Sequence, residues 1–186
     1  MNISKFLSIR VFFSSEELKD ILSCFHKEVV LKNTTILKEG QVCTKLYFLE
    51  KGVGRSYYLH ENGKYITQWF FSEGTFMTSL ESFFQERPSL NYIEIIEESV
   101  VYSISKKNLD LLFKKYHKME KFGRIISTEM ITKISDKLNA IQFQTANERY
   151  KYMLKEFPNI SNRVPLGYIA SYLGITQETL SRIRKS

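Results

Sequence analysis

The chain has 186 residues, 43% hydrophobic and 25% charged, an ordinary globular balance that suits one or two small domains. Its formal charge of +7 is compatible with an anionic partner, and the basic excess is denser in residues 140–186, which hold seven Lys and Arg and three Asp and Glu. No apolar run is long enough to span a membrane, no signal pattern opens the chain, and Cys24 and Cys43 are too few and too far apart for a zinc or iron–sulfur site. No membrane, metal or cofactor is therefore expected, and the cytoplasm is the default compartment.

The first helix signal is Ser14-Ser-Glu-Glu17, a capping box with Ser14 as N-cap. A helix to about His26 is expected, with Leu18, Ile21, Leu22 and Phe25 as its apolar stripe. The residues before it are apolar and unpatterned, and should pack on whatever follows. From about Glu28 the pattern changes to strands. Gly40, Gly52, Gly63 and Gly74 fall 12, 11 and 11 residues apart in turn-like contexts. Asn62-Gly63 predicts a type I′ hairpin turn, since both residues tolerate positive φ. Runs such as Lys45-Leu-Tyr-Phe-Leu, Arg55-Ser-Tyr-Tyr-Leu and Tyr65-Ile-Thr-Gln-Trp-Phe-Phe are rich in strand formers, and Asn91 to Ile96 and Val100 to Ile104 continue the series. Short strands at this spacing predict a closed or sandwiched β unit. Thr78 and Glu81 form a second capping box, so a short helix should start after Thr78.

Ser105 can cap a helix to about Tyr116. A long helix follows, from about Met119 to Leu138, with Phe122, Ile126, Met130, Ile134 and Leu138 recurring every four residues. Such a stripe can pack on its own domain, on its copy in a dimer, or both. Gly123 beside it costs about 1 kcal/mol relative to Ala, which suits a close approach by another backbone. Thr145-Ala-Asn-Glu148 caps a helix carrying Tyr150, Met153, Leu154 and Phe157, which ends at Pro158. The boundary is expected near Asn139 to Gln144, giving units 1–139 and 140–186.

The C-terminal unit holds the most specific signal. Pro165 suits the first turn of a helix, with Leu166, Ile169, Ala170 and Leu173 at helical spacing. Gly174 can cap that helix with positive φ, and Thr176 can cap the next. Leu180 and Ile183 face back, while Gln177, Glu178, Ser181, Arg182 and Lys185 form the other face. Two short helices around a tight glycine turn make a helix-turn-helix. The bland alternative is an ordinary helical hairpin with a solvated face. Gln, Glu and Arg on that face are, however, side chains that read base edges in a major groove.

A β-roll, a long helix and Ile169-Ala170…Leu173-Gly174-Ile175-Thr176…Thr179-Leu180-Ser181-Arg182-Ile183 in this order resemble the cAMP receptor protein/Fnr family of bacterial transcription regulators. The resemblance covers nearly the whole chain. It implies an α+β architecture: an N-terminal cyclic-nucleotide-binding-like β-roll of jelly-roll type with a dimerisation helix, then a small all-α DNA-binding domain. It further implies a homodimer on a near-palindromic duplex, with RNA polymerase as a possible further partner. Gln177, Glu178 and Arg182 would occupy the base-reading positions, and Thr176, Thr179, Ser181, Arg184 and Lys185 would touch phosphates. Gln177 could equally bind a phosphate, and Glu178 with Arg182 could be an i,i+4 ion pair. The stripe from Phe122 to Leu138 would be the dimer helix.

The effector site departs from the family. Its cAMP-binding members carry Gly-Glu at the start of the short helix and, ten residues after that Glu, an Arg for the cyclic phosphate. On this chain the Gly falls at Thr78, the Glu at Ser79 and the Arg at Ser89. Arg87 lies two residues early, about 6 to 7 Å along a strand, and directly before Pro88. Thr78, Ser79, Arg87 and Ser89 are therefore the candidate effector residues, but cAMP is not the expected ligand and the effector stays unidentified. Glu81 would also stand where a phosphate should sit. The cysteines needed for Fnr-like oxygen sensing are absent, and His26, His60 and His117 carry no axial-ligand signature for haem. Trp69, Phe70, Phe71, Phe76, Phe83, Phe84 and Tyr92 could line an apolar pocket or simply be core. Only Lys185 and Ser186 follow Arg184, so any wing after the recognition helix is expected to be reduced or absent. A cupin-like metalloenzyme would need a His-x-His pair, and no catalytic triad or phosphate loop is visible, so an enzyme is not expected. The alternative is a ligand-sensing β-roll that regulates a partner protein without DNA.

Overall fold

The Ser14 hydroxyl accepts from the Glu17 N–H at 3.2 Å and the Ser14 N–H donates to the Glu17 carboxylate at 2.7 Å, so the expected capping box forms. In the computed structural model, which describes residues 1–185, it opens α2 (Ser15–Ser23). That helix stops short of His26, which already belongs to a strand. An earlier helix, α1 (Ile3–Ser8), is capped by Asn2 and buries Ile3, Phe6 and Leu7. Six residues are too few to show a helical period in the sequence.

The strands are β1 (His26–Val30), β2 (Thr35–Leu37), β3 (Lys45–Lys51), β4 (Gly54–Leu59), β5 (Tyr65–Phe71), β6 (Thr75–Met77), β7 (Tyr92–Ile95) and β8 (Ser99–Ser105). They form two antiparallel sheets, ordered β1-β8-β3-β6 and β2-β7-β4-β5, a jelly-roll-like sandwich. Phe48, Leu49, Met77, Ile93, Ile95 and Val101 fill it, and α1 packs into the same core. The hairpin between β4 and β5 is not type I′, because Gly63 has φ 79° while Asn62 is not among the positive-φ residues. The Gly63 N–H donates to the His60 carbonyl at 2.8 Å and the His60 N–H to the Lys64 carbonyl at 2.9 Å. This is a three-residue loop with glycine in the left-handed position, which needs only one positive φ.

A short helix, α3 (Leu80–Gln85), joins β6 to β7, but Thr78 does not cap it. Ser79 is the N-cap residue, and the Thr78 hydroxyl is drawn instead to the Lys45 carbonyl at 3.2 Å. Pairing of β6 with β3 holds Thr78 beside Lys45, two residues before the helix starts at Leu80.

The remaining helices are α4 (Lys106–Lys115), α5 (His117–Phe143), α6 (Ala146–Glu156), α7 (Ile160–Arg163), α8 (Leu166–Leu173) and α9 (Gln177–Ile183). The 27-residue α5 is longer than expected and runs past residue 139. Its apolar stripe divides. Phe122 is only 4% exposed, set edge-on to Phe6 and Phe76, and Ile126 packs on the same core. Phe122 is thus committed to its own chain's core, while Ile126 stays half-buried. The physical reason is the helix period: a step of four residues overshoots a turn by about 40°, so a strict four-residue stripe winds around the helix. By its end, Ile134 and Leu138 face solvent at 45% and 53% exposure. Ile131 and Ile141, 66% and 57% exposed, join them at spacings of 3, 4 and 3 on one face. Gly123 does meet a close neighbour, but it is a ring: a Cβ there would lie 3.0 Å from Phe113 on α4.

A second core lies outside the sandwich. Val53, Phe70 and Ile96 pack with Met153, Phe157, Ile160, Val164, Ile169, Leu173 and Leu180. The C-terminal helices thus bury apolar surface against the β2-β7-β4-β5 sheet of their own chain.

Candidate functional site

The helix-turn-helix is built as its residues suggest. Gly174 takes φ 68°, its N–H donates to the Ser171 carbonyl at 3.1 Å, and the Ile175 N–H donates to the Ala170 carbonyl at 3.0 Å. That pair of bonds is a Schellman ending of α8, available because glycine has no Cβ. The Thr176 hydroxyl accepts from the Thr179 N–H at 3.2 Å and starts α9. Leu180 is fully buried against α8, and small Ala170 allows the crossing. Pro165 stands one step earlier than expected, at the N-cap of α8, where its carbonyl accepts from the Tyr168 N–H at 2.9 Å. Leu166 is exposed, and Tyr172 is buried in its place.

Gln177, Glu178, Ser181, Arg182, Arg184 and Lys185 are exposed together, with Thr176 and half-buried Thr179 at the start of the same helix. Among the described residues, Glu178 and Arg182 form no salt bridge. The Glu178 carboxyl is held below its usual range first by its own backbone N–H, then by Thr176, with the Arg182 charge a smaller influence. The Gln177 amide lies over Gly167 of α8, where a Cβ would come within 3.0 Å of it.

The helix-turn-helix also touches the roll. The β5 strand has an extra residue, Gln68, opposite the step from Ser56 to Tyr57 of β4, a bulge that turns backbone groups outward. The Thr67 N–H donates to Ser171 Oγ on α8 at 2.9 Å, and the Gln68 carbonyl accepts from Lys137 Nζ on α5. Lys137 also lies over the Tyr172 ring at 4.0 Å and the Trp69 ring at 5.4 Å, and burial pushes its amine down to about 8. Arg55, 4% exposed, pairs with Glu94 at 2.8 Å and stacks under Tyr168 of α8 at 3.4 Å. Arg163, the last residue of α7, bridges Glu73 and Glu97 of the roll. Burial pushes the Glu73 carboxyl up, but the Arg163 guanidinium and the Gly52 N–H outweigh it and bring it down to about 2. Apart from Trp69, these junction residues did not stand out in the sequence, because bulges and inter-element pairs leave no local pattern.

Between the roll and α5 lies a cavity of about 780 Å³. Trp69, Phe71 and Phe76 line it, so part of the aromatic set serves a pocket, whereas Phe70 and Phe83 are fully buried core. Thr78 and Ser79 reach the cavity wall. Ser89 is buried behind Ser79, and Arg87 is exposed away from the lining. A chain of hydrogen bonds runs from the Asn91 N–H to Ser89 Oγ at 3.0 Å, from the Ser89 hydroxyl to Ser79 Oγ at 2.9 Å, and from the Ser79 hydroxyl to Glu81 Oε1 at 3.0 Å. The Ser89 hydroxyl also lies 2.9 Å from the Asn91 carbonyl. No group of three or more His, Cys, Asp or Glu among the described residues could hold a metal, and no described helix is long and apolar enough to cross a membrane.

Residues 27–116, covering most of this roll, match the cyclic nucleotide-binding domain family. The chain is 28% identical over 180 residues to the Anaerobic regulatory protein of Aggregatibacter actinomycetemcomitans, a match that covers 90% of this chain and 68% of that protein. FixK2 from Bradyrhizobium japonicum shares the fold at a TM-score of 0.75 with 19% identity, over 87% of this chain and 83% of the other. A crp/fnr-family protein from Eubacterium rectale gives a TM-score of 0.70 with 18% identity, over 93% and 82%. The architecture is therefore the one found in Crp/Fnr proteins, and the curated relative is a regulatory protein.

Proposed function

We propose that this chain works as a dimeric, sequence-specific DNA-binding transcriptional regulator, with a roll that answers to a ligand other than a cyclic nucleotide. The observation that carries the reading is the outer face of α9. It presents Gln177, Glu178 and Arg182 to solvent, and among the described residues Arg182 has no carboxylate within salt-bridge reach. A guanidinium left free in this way can donate two bonds to guanine O6 and N7. Glu178 can accept from cytosine N4, and the hydroxyls and cations around them suit phosphate oxygens. The exposed face of α5 formed by Ile131, Ile134, Leu138 and Ile141 supports dimerisation, because apolar side chains at heptad spacing suit a partner helix, and Ile134, Leu138 and Ile141 also border the cavity between α5 and the roll.

The direct test is selection of duplexes from a random or genomic pool by the full-length protein at stated salt. The expected product is a near-palindrome whose half-sites lie about one helical turn, roughly 34 Å, apart. Retention of no duplex even at low salt would sink the DNA reading and leave a roll that regulates a partner protein.

A further inference from the structure

The polar end of the cavity carries a charge of unexpected sign. Glu81, on the first turn of α3, lines the cavity beside Ser79 and Asn91. Both of its hydrogen bonds arrive on one oxygen: Oε1 accepts from the Ser79 hydroxyl at 3.0 Å and from Asn91 Nδ2 at 3.5 Å. Among the described residues Oε2 has no hydrogen-bond donor, and no Lys or Arg lies within salt-bridge reach of the carboxylate. Yet the oxygen is not sealed in protein, since Gln144 Oε1 is the one buried side-chain polar atom without a partner among the described residues. Oε2 is therefore accessible, on a residue that lines the cavity.

The cations of the cavity wall do not answer it. They are Arg10, which follows α1, and Arg124, Lys133 and Lys137 of α5. Arg10 is held by Glu129 at 3.0 Å and Lys133 by Glu156 at 3.2 Å. Lys137 is turned to the Gln68 carbonyl and the Tyr172 ring, and Arg124 is exposed. The strands and helix that surround Glu81 supply hydroxyls, an amide and rings.

We propose that this cavity binds a small apolar molecule bearing a protonated amine, with Glu81 Oε2 accepting its N–H groups. The inference deepens the reading of the roll as the sensory half of the molecule, and rests on it. Among the described residues the half-buried Glu81 carboxylate in the cavity wall has no cationic partner. A cationic ligand supplies a counter-charge at an oxygen that no described Lys or Arg reaches. Phe76, Phe84 and Trp69 give the ligand body an aromatic wall, which also favours a nearby ammonium. A phosphate or carboxylate entering the same end would meet Glu81 with like charge.

Trp69 is the sole tryptophan and lines the cavity, so its fluorescence reports occupancy. The purified full-length protein should be titrated with phenethylamine, with phenylpropionate as an anion of similar shape, and with phenylpropanol as a neutral one. The amine should bind at least about tenfold more tightly than the carboxylate. Glu81→Gln should abolish that preference and leave the alcohol unchanged. Ser79→Ala, which keeps the carboxylate, should retain the preference. Equal affinities for amine and carboxylate, or an equal loss in both variants, would overturn the proposal. Duplex selection by the unliganded protein separates the two claims. Selected DNA without amine preference overturns this inference alone, and amine preference without selected DNA overturns the DNA reading alone.

Discussion

Ser79 and Ser89 are joined oxygen to oxygen at 2.9 Å. These are the two positions where the family resemblance expects a glutamate for a ribose and an arginine for a cyclic phosphate. Two neutral hydroxyls satisfy each other there, and the nearest candidate cation in sequence, Arg87, is exposed outside the cavity.

Cyclic nucleotides should therefore not bind. A buried phosphodiester needs a paired cation or several N–H donors to recover its desolvation. Isothermal titration with cAMP and cGMP should give no saturable heat, and Arg87→Ala should change nothing. A dissociation constant near 1 μM, about 8 kcal/mol of binding, would overturn this.

Arg182 and Lys185 should behave differently on DNA. Arg182→Ala should cost about 1–3 kcal/mol per half-site and relax preference at one position. Lys185→Ala should weaken binding evenly and flatten the salt dependence. Binding profiles across operator variants decide between them. Equal, sequence-independent losses would reduce Arg182 to a phosphate contact.

The dimer should depend on the outer end of α5. Ile134→Lys with Leu138→Lys removes two exposed apolar side chains per protomer, each worth about 1.5–3 kcal/mol when fully buried. The variant should sediment as a folded monomer at micromolar concentration. Ile126→Lys, set against the roll's own core, should lower the melting temperature instead. A double variant that stays dimeric places the interface elsewhere.

The bridge from Arg163 to Glu73 and Glu97 should show in acid. Arg163→Ala leaves two carboxylates without their cation and should cost about 1–3 kcal/mol at neutral pH. Glu73 falls from an ordinary 4.5 to about 2 in the folded protein. A depressed carboxyl stabilises fully above its unfolded value, and that contribution fades as pH falls from 4.5 towards 2. Thermal melts of wild type and Arg163→Ala should therefore converge through that window. A constant gap would mean that the bridge adds no pH-dependent stability.

Local signals were readable from residues alone. Gly174, Thr176, Ser14 and Thr145 each fix a chain reversal or a helix start by what they can bond within four residues, and each does so in the fold. The glycine spacing likewise indicated the roll. Thr78 misled because its hydroxyl had a competing acceptor on β3, distant in sequence. The stripe through Phe122 left open whether it meets its own domain or a copy, because periodicity does not say which neighbour a helix face meets, and Phe122 is buried in its own chain's core. In the sequence Glu81 stood out only as a capping partner for Thr78 and as an obstacle to phosphate. Its open oxygen depends on Ser79 and Asn91 both approaching from one side, a three-dimensional fact.

The contact between α8 and β5 has a consequence for solubility. β5 is the outermost strand of its sheet, with no strand hydrogen-bonded beyond it. Ser171 binds the Thr67 N–H and reaches the Tyr65 carbonyl at 3.3 Å, while Lys137 takes the Gln68 carbonyl. Side chains thus terminate a row of main-chain groups that could otherwise template another chain. A rotation that lifts α8 would remove the Ser171 part of this guard and leave only Lys137 of α5. If the proposed DNA binding requires such a lift, the tendency to aggregate should rise with it, and a variant that loosens α8 should be watched for both.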